Sequence, residues 1–375
     1  MIYFDNAATS RYRPQCVQDA IIEQAKHPSN PGRSSHNDAV EAALIVHRAR
    51  ESIKTFVNNP DAEVILTKNC TEALNLAIIG TSRQGHIITS VMEHNSVLRP
   101  LFELQKGGLI RLTVLDQENG KINAANLEKK ICPDTYMVAI THMSNVTGEV
   151  NDIAEIGKIT SKQGILLLVD AAQSLGHIPF DMRSLGCDMV ASAGHKGLHG
   201  AQGTGFLCYS RRIKVRPIIY GGTGTDSIST FQPHSPPESL ESGTLNALGL
   251  AGLAAGVEWT RKNFDKINKH INGISEYIMQ NMKTIKGIKI YSNNNNGVIS
   301  FELNGYNSSQ LADILNDRYL IAVRSGLHCA PLIHRAMNTT ENGLTRVSVG
   351  YNNTMRDAKK LIIALKTITE EAIAD

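Results

Sequence analysis

The chain has 375 residues, 42% of them hydrophobic, with 38 basic against 35 acidic side chains for a formal net charge of +3. That length can bury a large core and suggests two or more structural units, and the near balance of charge, with no extended basic tract, gives no reason to expect a nucleic-acid partner. Six cysteines without CxxC pairs argue against structural zinc or a disulfide framework, and Met1-Ile-Tyr-Phe-Asp5 leads into neither a secretory signal nor a membrane span, so a cytoplasmic protein is expected.

From about residue 60 to 210, short apolar runs alternate with helical patterns. Candidate strands are 63–67, 86–91, 109–114, 137–141, 165–170, 188–191 and 205–209, and helices are predicted over 71–80, 123–130 and 153–162. This alternation predicts an α/β fold with a mainly parallel seven-stranded sheet covered on both faces, and ligand at the carboxyl ends of the strands. After Tyr209 the pattern changes. Gly221–Gly224 and Pro233–Pro237 are loop-forming, and a helix from Leu248 to about Met282 leads into a smaller α+β domain. Strands are expected there at 288–291, 298–303, 320–323 and 345–349, with Thr354 capping a final helix.

Two features carry chemistry. Gly164-Ile-Leu-Leu-Leu-Val-Asp170 reads as a buried parallel strand with a carboxylate at its end, and a buried anion needs a cationic partner. Lys196 stands in a glycine-rich turn after Met189-Val-Ala191, where a Schiff-base lysine would sit. The pyridinium nitrogen of pyridoxal 5'-phosphate is a partner of the kind Asp170 requires, so the two residues are read as one device. Phosphate needs backbone donors and a positive field, which the start of a helix at Lys68-Asn-Cys-Thr71 supplies; Cys70 and Thr71 are the proposed cradle, although Thr71 serves equally well as an ordinary N-cap.

Tyr3–Thr9, Asn30-Pro-Gly-Arg-Ser-Ser-His36, Thr71-Glu-Ala-Leu-Asn75, Glu93-His-Asn-Ser96, Asp170-Ala-Ala-Gln173, Gly194-His-Lys196, Glu241–Asn246 and Arg324-Ser-Gly-Leu-His-Cys-Ala330 follow one another in this order. With them the chain resembles the cysteine desulfurases of the class V aminotransferase superfamily, which are fold-type-I pyridoxal phosphate enzymes, and its compact Cys329 segment resembles their short-loop branch. The resemblance implies a homodimer in which Thr244 reaches the phosphate of the neighbouring subunit, His94 stacking on the cofactor ring and assisting proton transfer, and His195 contacting the phosphate. It also places Asn30, His36, Arg324 and Arg346 at the substrate, Arg346 on its carboxylate. Asn145 and Gln173 offer hydrogen bonds suited to the ring's phenolic oxygen.

Two positions depart from the family pattern. Ala193 stands where a phosphate-binding Ser or Thr is usual, with Ser192 one step away, and Ala201 replaces a proline, which predicts a less rigid loop. Cys329 lies in a loop in which a thiol can be exposed and flanked by cationic groups that favour thiolate.

The expected function is conversion of L-cysteine to L-alanine, with the sulfur carried as a persulfide on Cys329 to a sulfur-acceptor protein. Selenocysteine lyase is the nearest alternative, followed by a class V aminotransferase or lyase in which Cys329 is incidental, and then by a pyridoxal-phosphate-binding or cofactor-free interaction protein. The expected division is an N-terminal segment 1–15 joining the small domain, a large cofactor-binding domain 16–255 and a small domain 256–375.

Overall fold

A computed structural model describes residues 1–31 and 34–374; Gly32 and Arg33, inside the Asn30–His36 motif, lie outside the described residues. The chain opens with β1 (Ile2–Tyr3), α1 (Gln15–Lys26) and α2 (Asn37–Phe56). It continues through β2 (Glu63–Thr67), α3 (Cys70–Gly80), β3 (Gly85–Ser90), α4 (Asn95–Lys106), β4 (Ile110–Leu115), α5 (Ala124–Lys129), β5 (Thr135–Thr141), α6 (Ile153–Lys162), β6 (Leu166–Asp170), β7 (Met189–Ala193) and β8 (Gly205–Tyr209). The last part comprises α7 (Ala247–Met282), β9 (Ile288–Ile290), β10 (Val298–Leu303), α8 (Ser308–Tyr319), β11 (Ile321–Ala322), α9 (Pro331–Ala336), β12 (Thr345–Ser348) and α10 (Met355–Ala374).

Seven strands form one sheet in the order β2-β8-β7-β6-β5-β3-β4, parallel except for β8, which runs antiparallel to both neighbours. The central strands are buried along their whole length, as β5 (Thr-Tyr-Met-Val-Ala-Ile-Thr) shows, because helices cover both faces. Register then sets the site. Thr141 pairs with Asp170, and Asp170 with Ala191, so β5, β6 and β7 end side by side and their carboxyl ends share one crevice.

A second core forms around the antiparallel sheet β12-β10-β9 and includes Phe4, Ile271, Ile278, Phe301 and Leu365. Two long-range features join it to the first. The N-terminal β1 pairs in parallel with β11, and α7 buries Leu250, Leu253 and Val257 in the large core but Ile267, Ile271 and Ile274 in the second. The division expected at 255/256 thus falls inside one continuous helix. The Trp259 ring, 5.7 Å from Tyr12 and 5.4 Å from Tyr351, packs where the two parts meet.

The strand expected over 320–323 shrinks to two residues, because Leu320 has a left-handed backbone (φ 54°) and ends α8 instead of opening β11. The helices α1 and α2 have no counterpart in the sequence reading; their amphipathic stripes pack on α7.

At Gly176, φ is +91° and a Cβ would collide with the carbonyl of Gly197, the residue after Lys196. Gly176→Ala is expected to destabilise the protein by about 3 kcal/mol, combining backbone strain with displacement of the lysine turn. Urea unfolding checks this, and a cost below about 1 kcal/mol would show that the turn relaxes freely.

Candidate active site

The loop after β2 crosses over Gly205, where any Cβ would strike the backbone of Asn69, and this close approach delivers the N-terminus of α3 to the strand ends. Asn69 is the N-cap, its side chain accepting from the Glu72 amide at 2.9 Å. Thr71 is therefore not the cap, which settles that alternative and leaves its hydroxyl for other work. The amides of Cys70 and Thr71 lie in the first turn, where helix donors have no intrahelical partner, so this end of α3 suits an anion.

One cavity is lined by Asn69, Cys70, Thr71, His94, Ser96, Asn145, Asp170, Gln173, Ala193, His195 and Lys196. The structure thus brings together most of the residues singled out in the sequence. A larger cavity of about 850 Å³ lies between α1, α2 and α7, away from the strand ends.

Asp170 is 5% exposed, and burial raises its pKa, against which the Ala172 amide (2.9 Å to Oδ1), Lys196 and the Cys70 thiol favour the anion. Burial likewise pulls Lys196 below the ordinary lysine value, with Cys70 and Asp170 opposing it and Arg346 and Arg324 reinforcing it. A larger share of Lys196 is then neutral amine, the form that acts as nucleophile and base.

His94 caps α4: its Nδ1 accepts from the Ser96 amide at 3.1 Å. With Nδ1 accepting, the proton sits on Nε2, and burial, followed by Lys196 and three arginines, pushes the ring down to about 4. A neutral N–H donor therefore faces the cavity near neutral pH. Ser96, which the sequence reading did not assign, links this histidine to the cradle through a 2.8 Å contact between its hydroxyl and that of Thr71. It closes the motif Glu93-His-Asn-Ser96, the one signal for it in the sequence.

His195 contacts the Thr9 hydroxyl through Nδ1 at 3.0 Å and is pushed down to about 4 by burial, Lys196 and Arg13. Asn145 Nδ2 donates to the carbonyl of His328 at 2.7 Å and Gln173 Nε2 to that of Ala7 at 3.0 Å, so each amide has its second hydrogen left for a ligand. Ser192 does not stand in for the serine or threonine missing at Ala193: on a strand it faces the opposite side, its hydroxyl donating to Ala171 at 3.3 Å. The turn lacking proline at Ala201 is closed by Gly200 N donating to Gly194 O at 2.8 Å and Gly194 N to Thr204 O at 2.9 Å.

Cys329 is exposed, at φ 57°, and follows His328 at φ 49°. Two such residues in succession need outside support. Asn95, next to His94, donates to the Cys329 carbonyl at 2.7 Å, and Asn145, which lines the cavity, holds that of His328, so the turn that exposes the thiol is tied to residues of the site. The expectation of flanking cations needs one correction. His328 is buried, and desolvation with Arg346 nearby pushes its pKa to about 2, so it is neutral. Arg324 is the partly exposed cation of this segment.

Arg346 is 2% exposed, donating to Asp5 Oδ1 and to the Asn145 carbonyl, each at 2.9 Å. Asp5, unassigned in the sequence reading, is thus its anionic partner. Three residues expected at the site lie elsewhere in the single chain. His36 caps α2, accepting from the Ala39 amide at 3.3 Å; Asn30 lines a separate cavity beside Arg50 and Glu241; and Thr244 is exposed just before α7.

The aminotransferase class-V family is matched over residues 2–361. The chain belongs to this family. A probable cysteine desulfurase of Methanothermobacter thermautotrophicus is 34% identical, covering 98% of this chain and 94% of the relative, and a cysteine desulfurase of Wigglesworthia glossinidia brevipalpis is 31% identical, covering 97% and 92%. The solved apo structure of a cysteine desulfurase from Thermococcus onnurineus superimposes with a TM-score of 0.91 at 30% identity, covering 99% of this chain and 95% of that one. A cysteine desulfurase of Escherichia coli gives 0.87 at 28%, covering 98% and 94%. These likenesses match the seven-stranded fold-type-I architecture expected from the sequence. Among the described residues no cluster of His, Cys, Asp and Glu could hold a metal ion, and no helix is long and apolar enough to cross a membrane.

Glu93 is fully buried beside this site, and desolvation raises its pKa to about 8. Its folded state holds the proton more tightly than the unfolded chain, so its support for folding is complete below about pH 4.5 and is lost as pH rises towards 8. Glu93→Gln, which cannot ionise, is expected to flatten that fall. Urea unfolding at pH 6 and pH 8.5 tests this: equal pH slopes for the two proteins would show that Glu93 is ionised throughout.

Proposed function

We propose that the chain is a pyridoxal 5'-phosphate-dependent cysteine desulfurase, converting L-cysteine to L-alanine with the sulfur taken as a persulfide on Cys329. The observation that carries this reading is the meeting of a lowered-pKa lysine, a buried carboxylate and a helix N-terminus in one cavity, whose Asn145 also holds the turn that exposes Cys329. The donor set fits the cofactor: α3 amides and Thr71 for the phosphate, Asp170 for the ring nitrogen, and Asn145 and Gln173 for the phenolic oxygen.

When bound, the cofactor supplies an electron sink for the pair left at the substrate Cα. Lys196 holds the cofactor and then, as a free amine, takes the Cα proton and returns it. Asp170 keeps negative charge at the far end of the cavity. Neutral His94 would lie beside the cofactor ring, its Nε2 hydrogen available to the reacting groups as a donor rather than a base. The substrate carboxylate takes the place of Asp5 on Arg346, with Arg324 beside it. The Cys329 thiolate attacks the substrate sulfur: an S–S bond forms, the Cβ–S bond breaks, and Cβ keeps the electron pair and takes a proton to give alanine.

Thr244, with Asn30 and His36, completes the site of a second copy in a homodimer. In support, the segment leading to Thr244 exposes Tyr220, Ile228 and Phe231, the last two more than four-fifths exposed. An exposed Cys329 suits transfer of its sulfur to an acceptor protein.

Lys196→Ala should lose the visible absorbance of the bound cofactor; retention of the wild-type spectrum with normal turnover would refute the role of this lysine. Cys329→Ser should still change its spectrum on adding cysteine but release alanine at least about a hundredfold more slowly. Wild-type alanine release by that variant would favour an aminotransferase or lyase in which the thiol is incidental.

A further inference from the structure

Cys70 opens α3, yet its side chain does not face the phosphate end of the cavity. Its thiol donates to Asp170, with Sγ 3.7 Å from Oδ1, and the Ala172 amide donates to the same oxygen at 2.9 Å. Both donors converge on Oδ1, while among the described residues no hydrogen bond to Oδ2 is formed. The thiol is buried, and desolvation together with the Asp170 charge raises its pKa well above the ordinary value. A thiolate there would set two anions side by side in a dry site, so the sulfur keeps its hydrogen and remains a donor. Lys196 is the cation of this buried group, and Glu93 is the second carboxyl group felt across it.

We propose that Cys70 is a positioning residue for the reaction: its S–H grips Asp170 by Oδ1, fixing the carboxylate so that Oδ2 is presented to the ring nitrogen of the cofactor and favouring its anionic form. This rests on the proposed pairing of Asp170 with that nitrogen. Without the thiol donor Asp170 is more basic, and the proton it shares with the ring nitrogen moves towards Oδ2. A ring nitrogen that has lost its proton withdraws fewer electrons, so the nitrogen joining Lys196 to the cofactor holds its own proton to higher pH.

The test is a pH titration of the visible band of the holoenzyme for wild type, Cys70→Ala, Asp170→Asn and the double variant, with cofactor content measured in each and thermal unfolding followed alongside. Cys70→Ala is expected to raise the titration midpoint by about half a pH unit, the size of one modest hydrogen bond, at unchanged cofactor content. Cys70→Ser, whose shorter bond leaves the hydroxyl farther from Asp170, should fall between the two. In the Asp170→Asn background, removing the thiol should produce no further shift. A midpoint unmoved in fully loaded Cys70→Ala overturns the proposal, as does a shift of the same size without Asp170, and a change confined to the unfolding temperature assigns Cys70 to packing alone. Failure of the underlying reading looks different: wild-type protein would then show no visible band that depends on Lys196, and both claims would fall together.

Discussion

Asp170 is a carboxylate with almost no access to water, and the site is arranged around keeping it charged. Burial pushes its pKa up, towards the protonated form. Its register in the sheet supplies the groups that oppose this: β6 ends between β5 and β7, so the turn after β7 brings Lys196 close, the chain after β6 folds back to offer the Ala172 amide, and the loop before α3 brings Cys70. Two of these approaches depend on a local allowance elsewhere. Gly205 lets Asn69 lie against β8, and Gly176 lets the Lys196 turn pack closely.

The rest of the electrostatics follows from the same dryness. Desolvation holds His94, His195 and His328 uncharged, so the positive field comes from Lys196, Arg324, Arg346 and the start of α3. Imidazoles in that state orient and donate, and the basic group whose lowered pKa suits proton transfer is Lys196. Arg346 is held by Asp5, from the N-terminal segment, which pairs through β1 with β11. The N-terminus, the strand β12 and the Cys329 turn thereby share one hydrogen-bonded frame through Asp5, Arg346 and Asn145.

Much of this was legible in the sequence, and for identifiable reasons. Runs such as Ile165–Val169 are apolar because both faces of their strand are covered, and β2, β8 and β10 begin and end where their composition changes. Asp170 and Lys196 stood out because a charge ending a buried strand is rare. What escaped the reading was decided by tertiary contact. The helices α1 and α2 carry amphipathic stripes whose partner, α7, lies some two hundred residues later. Leu320 ends a helix in a left-handed conformation that its side chain does not announce. Asp5, Ser96 and the direction of the Cys70 thiol acquire meaning only when the strand ends are assembled, and the neutrality of His328 is a consequence of burial that no local pattern encodes. Thr244 and His36 were legible only through resemblance, since one chain leaves both outside the cavity.

The central claim is that sulfur leaves cysteine by attack of one particular thiol. A single turnover with sulfur-labelled cysteine, quenched with an alkylating agent and followed by peptide mass spectrometry alongside alanine quantification, tests it directly. One labelled sulfur on the Cys329 peptide for each alanine formed is the predicted result. Label on another cysteine, or sulfide released with no alanine, would contradict it.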